Sequence, residues 1–334
     1  MKLNDLGRAV RERQDGGKVA VITDSNVAPL YLETCLRSLR EAGFAASGFV
    51  VPAGEASKSG GTYLALLNKL AAAGLTRSDG VAALGGGVVG DLAGFAAATY
   101  MRGIKLYQIP TTLLAMVDSS IGGKTGIDLA EGKNLAGAFH MPELILRDPS
   151  VLATLPEEVF REGMAEVVKY GVICDEALFA AVERAAAERN LAGAAEGFIE
   201  TCAAIKERYV EADPLDRGVR NELNFGHTVG HALEQLSGYE LPHGFAVAAG
   251  MDCMAQLSAQ QGWCSAETYD RLHALLTGMG YDTAVHYDRQ AVAEAILADK
   301  KRSDDTIRLV TLDRIGACTV REIRVAELQR LLIG

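Results

Sequence analysis

The sequence predicts an α/β N-terminal domain with a mainly parallel, Rossmann-like sheet, joined to a mostly α-helical C-terminal domain. Three observations carry that expectation. Short β-branched runs alternate with helix-spaced apolar stretches over residues 1–150. Glycines gather where one of those runs ends. After about residue 155 the texture changes to Ala, Leu, Glu and Arg at helical spacing, which places the second domain at 151–334.

In chain order, "KVAVITD" (18–24) is a short β-branched strand, and "APLYLETCLRSLREAG" after it is helical. "SGFVVPAGE" reads as the next strand, and "TYLALLNKLAAAG" carries apolar residues at helical spacing. "DGVAALGGG" is a buried strand running into glycines, followed by the helical "DLAGFAAATYM". "IKLYQIP" is a further strand, stopped by Pro110, which has no N–H for a ladder. "PTTLLAMVDSSIGGKTGIDLAEGKN" (110–134) begins as an apolar, helix-like segment and continues among glycines and charges. "ERAAAERNLAGAAEG" (183–197) reads as a surface helix and turn, and "TIRLVTL" with "ACTVREIRV" as a terminal strand pair.

Composition excludes several classes. The 334 residues are 49% hydrophobic and 23% charged, ordinary for a globular protein. A net charge of −10 argues against nucleic acid or an anionic membrane as partner, so an anionic ligand requires a local cationic pocket. No apolar run approaches the roughly 20 residues that cross a bilayer, and the N-terminus has no signal-peptide core. Six scattered cysteines without a CxxC indicate free thiols and, with the rest, a cytoplasmic location.

Five stretches carry chemistry. In "ALGGGVVGDLAGF" (83–95), Gly85, Gly86 and Gly87 stand between strand and helix, where backbone N–H groups can approach a phosphate; a tight turn needing positive φ uses glycine equally well. Asp24, ending the first strand, suits either a ribose hydroxyl or an Asx turn. Residues 110–134 set Asp118, Lys124, Lys133 and Asn134 beside glycines, a pattern for an anionic, oxygen-rich molecule. "GMAEVVKYG" (163–171) puts Glu166 and Lys169 three apart on one helix face.

The fifth is "GHTVGHALEQLSGYELPHG" (226–244), which holds three of the six histidines. His227 and His231 stack on one helix face, and His243 follows a turn. Catalytic zinc commonly takes three protein ligands and keeps a position open, which Glu166 and two of these histidines satisfy. Spacing alone does not say which two.

Together with "GGGVVGDLAGFAAATYMRG", "GKNLAGAF", "LNFGHTVGHALE", "HGFAVAAGM" and "DKK", these stretches resemble the 3-dehydroquinate synthase family of sugar phosphate cyclases, from about residue 18 to residue 325. The resemblance implies NAD in the N-terminal domain and one divalent metal, zinc foremost and cobalt the alternative, on the helical domain. It implies a sugar phosphate substrate, 3-deoxy-D-arabino-heptulosonate 7-phosphate, converted to 3-dehydroquinate and phosphate in the shikimate pathway. The chemistry implied is transient oxidation at C5, phosphate elimination, re-reduction, ring opening and aldol closure. Oxidation at C5 acidifies the C6 proton and so eases the elimination.

Residue by residue, the resemblance assigns Glu166, His227 and His243 to the metal and His231 to the substrate. Lys124, Lys133, Asn134, Lys169, Lys206, Arg220, Asn224 and Lys300 fall on substrate positions, Lys301 being a rival to Lys300. Asp118, Lys124, Lys169, Asn224 and His231 are the implied catalytic set. Asp24, Asn26, Glu55, Lys58, Gly86, Gly87, Val88, Asp91, Thr111, Thr112, Leu114, Asp118 and Lys133 match NAD-contacting positions. Arg102 matches an arginine that reaches a neighbouring subunit's site, which implies a homodimer.

Three departures stand out. About 17 helical-looking residues replace an N-terminal hairpin, Phe245 stands where many members carry glutamate beside His243, and "AFHMP" replaces an aromatic-Gln-Pro. Rival readings are another sugar phosphate cyclase, a metal-dependent NAD alcohol dehydrogenase and a non-catalytic NAD-binding protein. "GGKTGIDLAEGKN" and the Arg220 and Asn224 pair favour the first assignment.

Overall fold

The computed structural model describes residues 1–299 and 306–333, in two compact units, Met1–Phe160 and Arg161–Gly334. Lys300 and Lys301 lie outside the described residues.

The first unit is built on five parallel strands: β1 (Lys18–Asp24), β2 (Ala45–Val51), β3 (Gly80–Gly85), β4 (Lys105–Pro110) and β7 (Leu144–Ile145). Their spatial order is β2-β1-β3-β4-β7. β1 and β3 are apolar and buried almost throughout, as strands covered on both faces must be. One face packs Ala20, Ile22, Val81 and Ala83 against Leu66 and Leu70 of α3 (Gly60–Ala72) and Leu92 and Ala96 of α4 (Gly87–Thr99). Because the chain moves from β1 to one side and then to the other, the strand order reverses between β1 and β3. Ligands of open α/β sheets bind at that switch, at the strands' carboxyl ends. Asp24 and the glycine turn after β3 stand there.

The N-terminal departure is a helix, α1 (Leu6–Arg11), that lies on α2 (Glu33–Glu41). Gly7 permits the contact, since an added Cβ would sit 2.0 Å from the Ser38 carbonyl oxygen. Residues 110–134 differ from the helix-and-loop expectation. Ala115–Ser119 form a single π-helical turn, and β5 (Lys124–Leu129) pairs antiparallel with β6 (Gly132–Phe139). The strand pairing was masked by its own composition: glycine and charge are poor β formers. Here Gly126 faces Gly137, where an added Cβ would meet the Thr125 carbonyl oxygen at 2.1 Å.

The second unit is mostly helical: α5 (Glu157–Cys174), which begins in the first, then α6 (Glu176–Ala187), α7 (Leu191–Ala212), α8 (His227–Leu236), α9 (His243–Gln260), α10 (Ala266–Gly278) and α11 (Arg289–Asp299). An antiparallel pair, β8 (Thr306–Arg314) and β9 (Ala317–Arg324), and α12 (Val325–Ile333) complete it. Residues 163–173 of α5 are buried on every side, as expected of a central helix. No helix among the described residues is long and apolar enough to cross a membrane, and no disulfide joins the six cysteines.

Candidate active site

Three helices bring the metal candidates together. Glu166 projects from the buried middle of α5, His227 opens α8 and His243 opens α9. α8 and α9 meet through glycine. A Cβ on Gly250 would lie 2.0 Å from the Gly226 carbonyl oxygen, and Gly226 has φ +77°, a left-handed conformation that starts α8 at His227. One donor atom from each of Glu166, His227 and His243 lies within 4.8 Å of the others. Nε2 of His227 is 3.3 Å and Nε2 of His243 is 3.5 Å from Glu166 Oε1. The Lys169 ammonium contacts Glu166 Oε2.

Both Glu166 oxygens are buried without a hydrogen bond of ordinary geometry, so a buried carboxylate and two imidazoles face one another. That donor set fits a borderline divalent cation such as zinc. Burial works against the Glu166 anion, but the Lys169 ammonium and His227 outweigh it and hold the carboxyl well below its usual range. Burial and the Lys169 charge lower His227, keeping its imidazole neutral as a ligand must be. For His243, burial is outweighed by the adjacent Glu166 and Glu234 carboxylates, and in the absence of a metal it is pushed up to about 10.

The sequence left out the residues that hold these ligands. Glu234 Oε2 lies 3.2 Å from Nδ1 of His243, so a carboxylate does stand beside this histidine despite Phe245. Glu162 accepts the backbone N–H groups of His243 and Gly244 at the start of α9, where Pro242 offers no side-chain cap. A signal was present for Glu234: positions 227, 231 and 234 share one helical face. Phe245 packs its ring against Tyr281, centroids 5.5 Å apart, with the Arg161 guanidinium 5.2 Å over it.

His231 is exposed, its ring 5.5 Å from that of His227 and 5.9 Å from that of His243. Lys169 and Lys206 are buried on α5 and α7, and Arg220 is buried in the turn Val219–Asn224, which exposes Asn224. Asp213, also missed, organises that turn by accepting the N–H groups of Arg217 (2.9 Å), Gly218 (2.7 Å) and Arg220 (3.2 Å).

In the first unit, Gly86 and Gly87 begin α4 with no side-chain cap on its first N–H groups, Val88 included, a terminus that suits an anion. Neither has positive φ, so close approach is their role: Cβ atoms there would lie 3.1 Å from Thr112 Cγ2 and from Ser119 Oγ. Thr111 Oγ1 is buried and unpartnered, and Thr112 Oγ1 accepts the Ala115 N–H at 3.1 Å, next to Leu114. Asp24 Oδ1 caps a turn by accepting from Asn26 (2.8 Å) and Val27 (3.0 Å).

Buried Lys58 binds Asp91 at 2.8 Å and lies 3.7 Å from Glu55. Burial opposes the Lys58 charge, but Asp91 overrides it and raises the ammonium's pKa. Asp128, overlooked in the sequence, bonds to the Glu55 carboxyl and accepts the Asn134 N–H at 2.8 Å. Asp118 sits in the π-helical turn, while Lys124 opens β5 and Lys133 and Asn134 open β6. Met101, Arg102 and Gly103 are consecutive positive-φ residues (53°, 70° and 115°), with Arg102 exposed. His140 of "AFHMP" binds the Ile104 carbonyl at 2.8 Å, leaving Met141 exposed.

Two family models cover most of the chain: 3-dehydroquinate synthase N-terminal over residues 48–162 and 3-dehydroquinate synthase C-terminal over 163–302. A 3-dehydroquinate synthase of Pelobacter propionicus is 45% identical, the match covering 98% of this chain and 93% of that protein. One from Geobacter metallireducens is 45% identical over 96% of this chain and 91% of that protein. Among solved structures, a 2-epi-5-epi-valiolone synthase from Streptomyces hygroscopicus with NAD+ and Zn2+ bound has a TM-score of 0.88 at 27% identity, covering 97% of this chain and 92% of that one.

Proposed function

As the chain belongs to the 3-dehydroquinate synthase family, we infer that it converts 3-deoxy-D-arabino-heptulosonate 7-phosphate to 3-dehydroquinate and phosphate, as a phosphate-eliminating carbon–oxygen lyase of the shikimate pathway. The observation that carries this reading is the convergence of Glu166, His227 and His243 around one buried point. The valiolone synthase binds NAD+ and Zn2+, and the same two cofactors are assigned to this chain. Bound NAD supplies a hydride acceptor restored in each cycle, and the divalent metal supplies Lewis acidity at a substrate oxygen.

The chain's own groups do the rest. Glu166, His227 and His243 hold the metal, and the Lys169 charge keeps Glu166 ionised. Asp24, Asn26, the α4 N-terminus, Thr111, Thr112 and the Glu55, Lys58 and Asp91 network receive the dinucleotide at the β1–β3 switch. Lys124, Lys133, Lys206 and Arg220 supply the cations for the substrate's carboxylate and phosphate in an acidic protein, and Asn134 and Asn224 supply neutral polar contacts. His231 exchanges a proton with the substrate, from an imidazole exposed beside the ligand histidines. Arg102 serves the partner's site in a homodimer, and the enzyme works in the cytoplasm.

The test separates this reaction from that of an NAD alcohol dehydrogenase. Protein given the heptulosonate phosphate, zinc and trace NAD should release phosphate over many turnovers without accumulating NADH absorbance. Stoichiometric NADH without phosphate would overturn the assignment.

A further inference from the structure

His243 is anchored at both ring nitrogens. Nε2 faces Glu166, and Nδ1 meets Glu234 Oε2 at 3.2 Å. His227 follows the same plan, its Nδ1 lying 3.1 Å from the Phe225 carbonyl oxygen while Nε2 faces Glu166. A neutral imidazole carries one N–H. An ionised carboxylate only accepts, so once a metal displaces the proton from Nε2, Glu234 retains the N–H at Nδ1 and leaves the Nε2 lone pair for the ion beside Glu166. Glu234 is itself buried, on the α8 face that also bears His227 and His231.

We infer that Glu234 is a positioning residue for the metal: its carboxylate fixes the Nδ1–H form of His243 and so aims Nε2 at the ion shared with Glu166 and His227. The inference rests on the metal assignment above and names what that assignment lacked, the group that orients its third ligand. Glu234 also converges with His231 and His243. Placing the ion there instead would take the same Nδ1 that Glu234 engages, and would use an exposed histidine in place of buried Glu166.

The test compares wild type, E234A and E234Q after removal of metal, by chelator competition for zinc, by the visible spectrum of the cobalt form and by thermal unfolding without metal. E234A should bind zinc about 10–100-fold more weakly. E234Q keeps shape and an acceptor oxygen but loses the charge; a loss of about tenfold is expected, the low end of that range. Both cobalt spectra should shift from wild type, which a purely structural role would not produce. Zinc bound by E234Q within twofold of wild type, with an unchanged cobalt spectrum, overturns the inference even if E234A fails to fold. Zinc that survives in E166A and is lost in E234Q also overturns it, placing the ion among His231, Glu234 and His243. Wild type that takes up no zinc or cobalt removes the metal assignment and this inference together.

Discussion

Glu162 holds the backbone of His243: its carboxylate accepts the first N–H groups of α9 from one turn before Glu166 on α5. A helix start with no cap of its own is thus closed by the helix that carries another ligand. Glu162→Ala should cost about 0.5–2 kcal/mol of stability, the usual range for a lost cap. It should also weaken zinc binding, because His243 is the residue released. Urea unfolding and zinc titration on one variant check both; unchanged values in both would show that the cap carries neither load.

Replacing Glu166, His227 or His243 by alanine should abolish stoichiometric metal and turnover. His231→Ala should keep the metal and slow turnover by about 10²–10⁴-fold, the range for a lost acid–base group. Phe245→Glu should retain full metal, since that ring packs on Tyr281 and Arg161. Metal analysis of the purified variants decides; full occupancy in His243→Ala would contradict the ligand set.

Asp148 predicts an acid limb in stability. Burial would raise its pKa, but it accepts from Ser150 Oγ (2.5 Å), Leu3 N (2.9 Å), Lys2 Nζ (3.1 Å) and Ser150 N (3.1 Å), which carry it below the usual carboxylate value. A depressed folded pKa gives stability that is present above the unfolded value, about 3.9, and lost as pH falls through the folded one. Asp148→Asn should cost about 1–3 kcal/mol at neutral pH. The gap from wild type should narrow below about pH 4. Urea midpoints measured at pH 7 and pH 3 test this, and a gap that stays constant would refute it.

Arg102 predicts complementation. If it serves the partner's site, a heterodimer of Arg102→Ala and His227→Ala chains contains one intact site and should recover about half of wild-type activity. A verified heterodimer without activity, or an active monomer, would count against sharing.

The parallel sheet was legible because buried strands such as "KVAVITD" and "DGVAALGGG" are uniformly apolar, and the glycine turn marked where β3 ends. The hairpin 124–139 was not, because its strands are specified by glycine close approach rather than by β-branched side chains. Among site residues, the motifs yielded groups with obvious chemistry. They did not yield Glu162, Glu234, Asp128 or Asp213, whose partners lie on other helices or on backbone atoms that sequence spacing does not reveal. Asp24 shows the reverse: both readings of an acid at a strand end were available, and one oxygen does cap a turn.

With 2.0 Å between a Cβ at Gly250 and the Gly226 carbonyl oxygen, these two positions constrain the routes along which the chain can evolve. A side chain at Gly250 forces α8 away from α9, and with it His227 away from His243. Single substitutions there are dead ends, and a repair would need compensating shifts in two helices at once. The turn organised by Asp213 is free of that constraint, since a Cβ added at Gly218 would meet nothing nearer than the Asp213 carboxylate at 3.6 Å. There, side chains can be exchanged one at a time while the two histidines keep their spacing.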